Sequence, residues 1–366
     1  MEIGAHKVAM NAPSGVSELE RLIEAGTFDP AAIVASIGKT EGNGGANDFT
    51  RGFATLSYQL LLARFLECSP EEVGRRIAFV WSGGCEGVLS PHATIFTRKP
   101  SSAGGLPGGR LALAIEVTRD IRPEEAGTMA QVEEVAAAVK RCLAATGITD
   151  PADVHYVQVK GPLLTPASIA DADKRGKTLV TRDPNGSKPY ARGATALGVA
   201  LGLGEVEVAD LSDAIIAKRF DLFSPVASTS AGGELKNCEV LLFGNSASAS
   251  GAFRIGHAVL ADAIDADGVR AALRDADLPF DCNPTRDDAD RIAAIFAKAE
   301  ASPTGAIRGR RNTMLSDADI NYERHARAAL GAVIASVTGD PAIFVSGGTE
   351  HQCAPSEAPI AAVVRV

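Results

Sequence analysis

The chain has 366 residues, of which 46% are hydrophobic and 22% charged, with a net charge of -9 and a single tryptophan, Trp81. That length allows two or three cores of ~100–200 residues each, and the acidic balance excludes a nucleic-acid surface, which needs clustered lysine and arginine. No apolar run approaches the ~20 residues of a membrane span, the opening "MEIGAHKVAM" does not read as a signal peptide, and six scattered cysteines without a Cys-x-x-Cys pair fit a reduced, cytoplasmic setting.

In chain order, the first strand signal is "IVASIGKTEG", an apolar run that delivers Lys39. Next comes "NDFTRGFATL", where Arg51 opens an Ala-rich helical stretch to Phe65. The strand "RIAFVW" then runs into a glycine turn, Ser82-Gly83-Gly84-x-Glu86. The Gly/Pro-rich loop "KPSSAGGLPGGR" breaks the chain. After it "MAQVEEVAAAVKRCLAAT" reads as a helix and "GITDP" as a turn. The strand "VHYVQVKGPLL" delivers Lys160, "PYARGATALG" opens a helix at Arg192, and "STSAGGE" repeats the turn as Ser230-Ala231-Gly232-x-Glu234. The strand "CEVLLFGN" and the break "ADAIDADG" follow. The last third offers "AAIFAKAEAS" with Lys298, "NYERHARAAL" with a helix opening at Arg324, "PAIFVSGG" with Ser346-Gly347-Gly348-x-Glu350, and a final strand, "IAAVVRV".

The same order of lysine strand, arginine helix and serine turn therefore occurs three times. It predicts an α/β fold of three similar repeat units, 1–105, 106–262 and 263–366, with pseudo-threefold symmetry around a central β core. Arginines at helix starts would sit in a positive local field. Three lysines, three arginines and three serines meeting at one cavity would suit a small, flat, carbonyl-rich ligand that is itself near threefold. Glycine after the serine lets backbone N–H groups approach such a ligand closely. Burial and neighbouring arginines would lower a lysine's pKa, so that it can take the serine proton for acyl transfer on an amide or imide. The residues alone do not single out one of the three Ser-Lys pairs. A nucleophile elbow, a Walker loop and a His-Glu-x-x-His motif are all absent, and the six histidines show no metal-ligand spacing.

Several long stretches carry a family resemblance. "GKTEGNGGANDFTRG", "WSGGCEGVLSPH", "VASTSAGGEL", "AKAEASPTG" and "RGRRNTMLSDADINYERHARA" resemble the cyanuric acid hydrolase/barbiturase family of ring-opening amidases. The resemblance runs from the first strand to the last. It implies three α/β repeats and hydrolytic opening of a cyclic imide; for cyanuric acid the product is carboxybiuret, which loses CO2 to give biuret. It implies that Arg51, Arg192 and Arg324 hold the ring oxygens, and that Ser82-Gly83, Ser230-Ala231 and Ser346-Gly347 bind the ring edges. Lys160 and Ser230 would be base and nucleophile, with Lys39 and Lys298 as supporting lysines. No cofactor would be needed for the chemistry. Glu300 and backbone oxygens at Thr349, Gln352, Cys353, Ala354 and Glu357 would hold a structural Mg or Ca, and the assembly would be a cytoplasmic homotetramer acting on a small molecule.

Arg324 favours cyanuric acid, since the family's barbiturases lack an arginine there. The alternatives are opening of barbituric acid to ureidomalonate, and binding of a planar metabolite without turnover. Three departures stand out. Gly161 follows the catalytic lysine where the family has Cys or Thr, "DPNGSKPYARG" lacks the family's Glu-Ser-Met run, and "HQCAPSEAP" replaces a glycine-rich metal loop.

Overall fold

The computed structural model describes every residue except Ala46 and 102–105. The expected unit boundary at 105 lies outside the described residues.

The first sheet is formed by β1 (Glu2–Ala9), β2 (Ile33–Thr40), β3 (Ala78–Gly83) and β4 (His92–Lys99), with α1 (Ser17–Glu24), α2 (Thr50–Leu66) and α3 (Pro70–Arg76) between them. The second has β5 (Arg110–Val117), β6 (Val154–Pro162), β7 (Ala227–Gly232) and β8 (Glu239–Ser246), with α4 (Met129–Thr146), α5 (Pro166–Lys174) and α6 (Ser187–Leu203). The third uses β9 (Phe253–Leu260), β10 (Ile292–Ala299) and a two-residue ribbon, β11 (Ala306–Ile307) with β12 (Arg310–Arg311). It is completed by β13 (Phe344–Gly347) and β14 (Ala358–Arg365), with α7 (Ala266–Asp275), α8 (Arg286–Ala289) and α9 (Tyr322–Thr338).

All three four-stranded sheets have one order, in which the last strand lies between the first and second and the third flanks the second: β1-β4-β2-β3, β5-β8-β6-β7 and β9-β14-β10-β13. β9 pairs antiparallel with β14, so the third sheet begins at Phe253, ahead of the expected boundary at 262. The turn signal at 261–268 follows a first strand rather than separating two units. The described chain contains no helix long and apolar enough to cross a membrane.

The lysine strands are buried almost throughout, β6 along its whole length, as expected of strands covered on both faces. Each runs parallel to its serine strand, with Lys39 opposite Ser82, Lys160 opposite Ser230 and Lys298 opposite Ser346. Where the sheets meet, their inner faces share one core containing Ile37, Phe96, Leu113, Tyr156, Phe243, Ile255, Phe296 and Phe344. Phe96, Phe243 and Phe296, one from each sheet, form a triangle with ring centroids 5.1, 6.1 and 6.2 Å apart, and Tyr156 stacks on Phe296 at 4.6 Å. This aromatic plug fixes the sheets relative to one another, so that the lysine ends of the strands converge.

Candidate active site

The convergence produces a single pocket lined by Arg51, Ser82, Gly83, Lys160, Lys188, Arg192, Ser230, Ala231, Glu323, Arg327, Ser346 and Gly347, among others. Residues as far apart in sequence as Arg51 and Gly347 thus face one hollow.

Two of the strand lysines behave alike. Lys39 Nζ donates to Ser82 Oγ at 3.1 Å and to the Val345 carbonyl at 2.6 Å. Lys298 Nζ donates to Ser346 Oγ at 3.2 Å and to the carbonyls of Thr229 and Gly347 at 2.7 and 2.8 Å. Burial, followed by the Arg327 guanidinium, pulls the Lys39 ammonium down to about 7. Burial and Arg192 do the same to Lys298, again to about 7.

The middle pair is different. Lys160 Nζ donates to Glu234 Oε1 at 2.7 Å. The Ser230 hydroxyl, although beside Lys160 in register, is bonded to no neighbour among the described residues. Burial pushes the Glu234 carboxyl up, but Lys160 and Arg51 outweigh it and hold the group at about 2. One serine of three therefore keeps its oxygen free for an incoming atom.

The arginines come from helices, and here the structure corrects the sequence reading. Arg51 is the second residue of α2 and is buried. Arg192 lies one turn inside α6 rather than at its start. Arg324 does not line the pocket: its side chain is 50% exposed and its Nε lies 3.4 Å from Glu86. The third arginine at the pocket is Arg327, 3% exposed, one turn inside α9. Helical geometry explains the exchange. Glu323 and Arg327, four residues apart, share the inward face of α9, whereas Arg324 lies about 100° around from Glu323.

Each arginine is held by the glutamate of a serine turn in another sheet. Arg51 Nε meets Glu234 at 3.2 Å. Arg192 forms a fork on Glu350 at 2.8 and 2.7 Å, and Arg327 a fork on Glu86 at 2.9 and 2.6 Å. Unit two's glutamate serves unit one's arginine, unit three's serves unit two's, and unit one's serves unit three's. Bidentate pairing of this kind fixes the guanidinium plane, and Arg192 Nη1 donates as well to Glu323 at 3.1 Å. Gly348 makes one such pair possible. Its φ is +83°, and a Cβ there would run into the Arg192 guanidinium.

The turn glutamates Glu86, Glu234 and Glu350 were visible as the fifth residue of the repeated motif but had no predicted role. Lys188, whose Nζ lies 3.1 Å from Glu323, had no signal. Gly161 leaves no free space, since Cys238 Sγ and Gln131 Nε2 would lie 3.0 Å from a Cβ there. Glu300 sits on the third unit beside the loop 349–357; burial, then Glu350, push its carboxyl up to about 7. The loop still makes left-handed turns without glycine, at His351 (φ +56°) and Ser356 (φ +82°). The carbonyls of Thr349 and Ala354 accept from Gln352 N–H and Glu357 N–H at 2.9 and 3.1 Å, which leaves each oxygen a second lone pair.

The description "amidohydrolase ring-opening protein" belongs to the family model that matches residues 4–365. A cyclic amide hydrolase of Azorhizobium caulinodans is 71% identical over all of both chains. A cyanuric acid amidohydrolase of Enterobacter cloacae is 50% identical, again over all of both chains. A solved cyanuric acid hydrolase structure, described as a structural concatenation, superposes with a TM-score of 0.94 at 48% identity, covering 100% of this chain and 99% of its own.

Proposed function

This chain belongs to the ring-opening amidohydrolases and is a cyclic amide hydrolase, and from that premise we propose that it opens cyanuric acid to carboxybiuret, which loses CO2 to give biuret. The observation that carries this reading is the single pocket lined by Lys160, by the serines of three in-register Lys-Ser strand pairs and by three arginines, each held by a turn glutamate.

The reading takes the three sheets as repeats about a pseudo-threefold axis. A trioxo-triazine is flat, with three carbonyls and three ring nitrogens, and so matches a site that repeats its donors three times. Arg51, Arg192 and Arg327 hold the ring oxygens, and the serine turns bind its edges. Ser230 is the nucleophile because its hydroxyl is the unengaged one. Lys160 Nζ takes the Ser230 proton as Oγ bonds to the ring carbon, which requires that this lysine has first given up the proton it donates to Glu234. It passes that proton to the ring nitrogen as the C–N bond breaks, and water then cleaves the acyl-serine. Glu234 keeps the Lys160 amine beside the turn. The oxyanion is met by backbone N–H groups of the turn and by neighbouring donors, each worth roughly 3–4 kcal/mol when well aligned.

No cofactor enters this chemistry. The donor set at Glu300 fits a hard cation, because a buried carboxylate is crowded by Glu350, Arg192 only partly offsets that charge, and the adjacent loop offers backbone oxygens. Glu300 and carbonyls at Thr349, Gln352, Cys353, Ala354 and Glu357 would hold Mg or Ca, which would neutralise charge behind Arg192. A homotetramer is part of the same reading. It is supported by an apolar stripe along α2, where Phe49, at the residue before the helix, and Phe53, Leu56 and Leu60 within it stand at helical spacing and exposed.

The test is direct. Purified protein should release biuret and CO2 from cyanuric acid, and Ser230→Ala should abolish turnover while Ser82→Ala and Ser346→Ala retain part of it. Turnover of barbituric acid with none of cyanuric acid moves the substrate. Binding without product in the parent protein removes the catalytic reading.

A further inference from the structure

We propose that His155, His257 and Asp275 form a binding site for a first-row transition-metal ion of the zinc class, on the seam between the second and third sheets. The three residues lie on β6, β9 and the end of α7. The two Nδ1 atoms face each other at 2.9 Å. One carboxylate oxygen, Oδ2 of Asp275, stands 3.2 Å from His155 Nδ1 and 3.7 Å from His257 Nδ1. Three ligand atoms thus point at one small volume. Tetrahedral ligands at about 2.0–2.1 Å from a zinc ion stand about 3.3–3.4 Å apart, and the observed edges of 2.9, 3.2 and 3.7 Å bracket that value.

The fold pre-sets the arrangement. The end of α7 lies directly on β9, because Gly256 has no Cβ to strike the backbone of Asp275 and Ala276. The His257 backbone N–H then donates to Asp275 Oδ2 at 2.8 Å, aiming the carboxylate as an outer-shell bond does in a metal centre. The Asp275 side chain is 44% exposed, which gives an ion a way in and leaves a fourth position to water. Two nitrogens and one oxygen select zinc, cobalt, nickel or copper rather than magnesium or calcium.

Sheet packing alone does not require these groups. His155 stands five residues before its strand lysine, and the matching positions in the other two sheets are Val34 and Ala293. A bound ion would clamp β6 to β9 and α7, strengthening one seam out of three. Without metal, the same residues would be a pair of imidazoles sharing one proton beside a carboxylate, and that is the reading to be told apart.

The experiment uses full-length protein stripped with chelator and titrated with Co2+, then Zn2+. We expect one equivalent of Co2+ with the visible absorption of a four- or five-coordinate site, displaced by Zn2+, and a rise in melting temperature on zinc loading. His155→Ala/His257→Ala should lose both signals. Asp275→Asn, at the surface and so foldable in any case, should weaken binding at least tenfold. Glu300→Gln and Cys282→Ser should leave it unchanged. Absence of saturable binding in the parent protein, or equal binding in Asp275→Asn, overturns the site.

Discussion

The exchange of Arg324 for Arg327 can be tested by comparing Arg327→Met with Arg324→Ala. The Arg327 side chain is 4% exposed and forks onto Glu86, itself 5% exposed. Methionine fills the space but leaves the Glu86 carboxylate buried without its partner. Breaking a buried pair in this way costs about 3–5 kcal/mol. The half-exposed Arg324, 3.4 Å from the same carboxylate, should cost about 0–1 kcal/mol when removed. Urea unfolding of both variants measures the difference. Arg327→Met/Glu86→Gln should recover much of the loss, because no charge is then stranded. In the ring-opening assay, Arg327→Met should lower kcat/KM by roughly 10- to 100-fold, the worth of one charged hydrogen bond, while Arg324→Ala stays near the parent value. If Arg324→Ala proves the more damaging in both assays, the assignment of the inward face of α9 is wrong.

Gly348→Ala should place a methyl against the Arg192 guanidinium and force φ +83° on a residue with a Cβ; weakened substrate binding in calorimetry, with the fold retained by circular dichroism, is the expected result. The lysines give a pH signature. With folded values near 7 against an ordinary 10.5 for Lys39 and Lys298, the unfolded chain binds more protons between those limits, so stability rises with pH across about 7 to 10.5. Lys298→Met should flatten that rise in denaturation midpoints. Glu300 has the opposite sign, since its folded value near 7 exceeds the ordinary 4.5, so its contribution is lost as pH rises through 7. Glu300→Gln should therefore gain stability at pH 8 relative to pH 5 in chelator, and Mg or Ca should stabilise the parent protein but not the variant.

Much of this architecture was legible in the residues. The order lysine, arginine, serine placed Lys39, Lys160 and Lys298 on strands and Ser82, Ser230 and Ser346 at strand ends, because short apolar runs ending in glycine turns are local signals. Helix starts were less legible. Two arginines three residues apart differ by about 60° on a helix, and only the packing of α9 decides which points inward. The third sheet begins at β9, ahead of residue 262, because β9 joins it through a partner, β14, about a hundred residues later. The Arg-Glu pairs and the His155–His257–Asp275 cluster were out of reach for the same reason: each joins residues from different sheets or elements, and sequence spacing carries no trace of such meetings.

The rotation of turn glutamates among the three sheets has a consequence for how the protein is made. Because Glu350 secures Arg192 and Ser346 closes the hollow, a growing polypeptide with two finished sheets holds an open, mis-charged cleft that has no use for substrate. The circuit of glutamate-arginine pairs is complete only when the third sheet is in place.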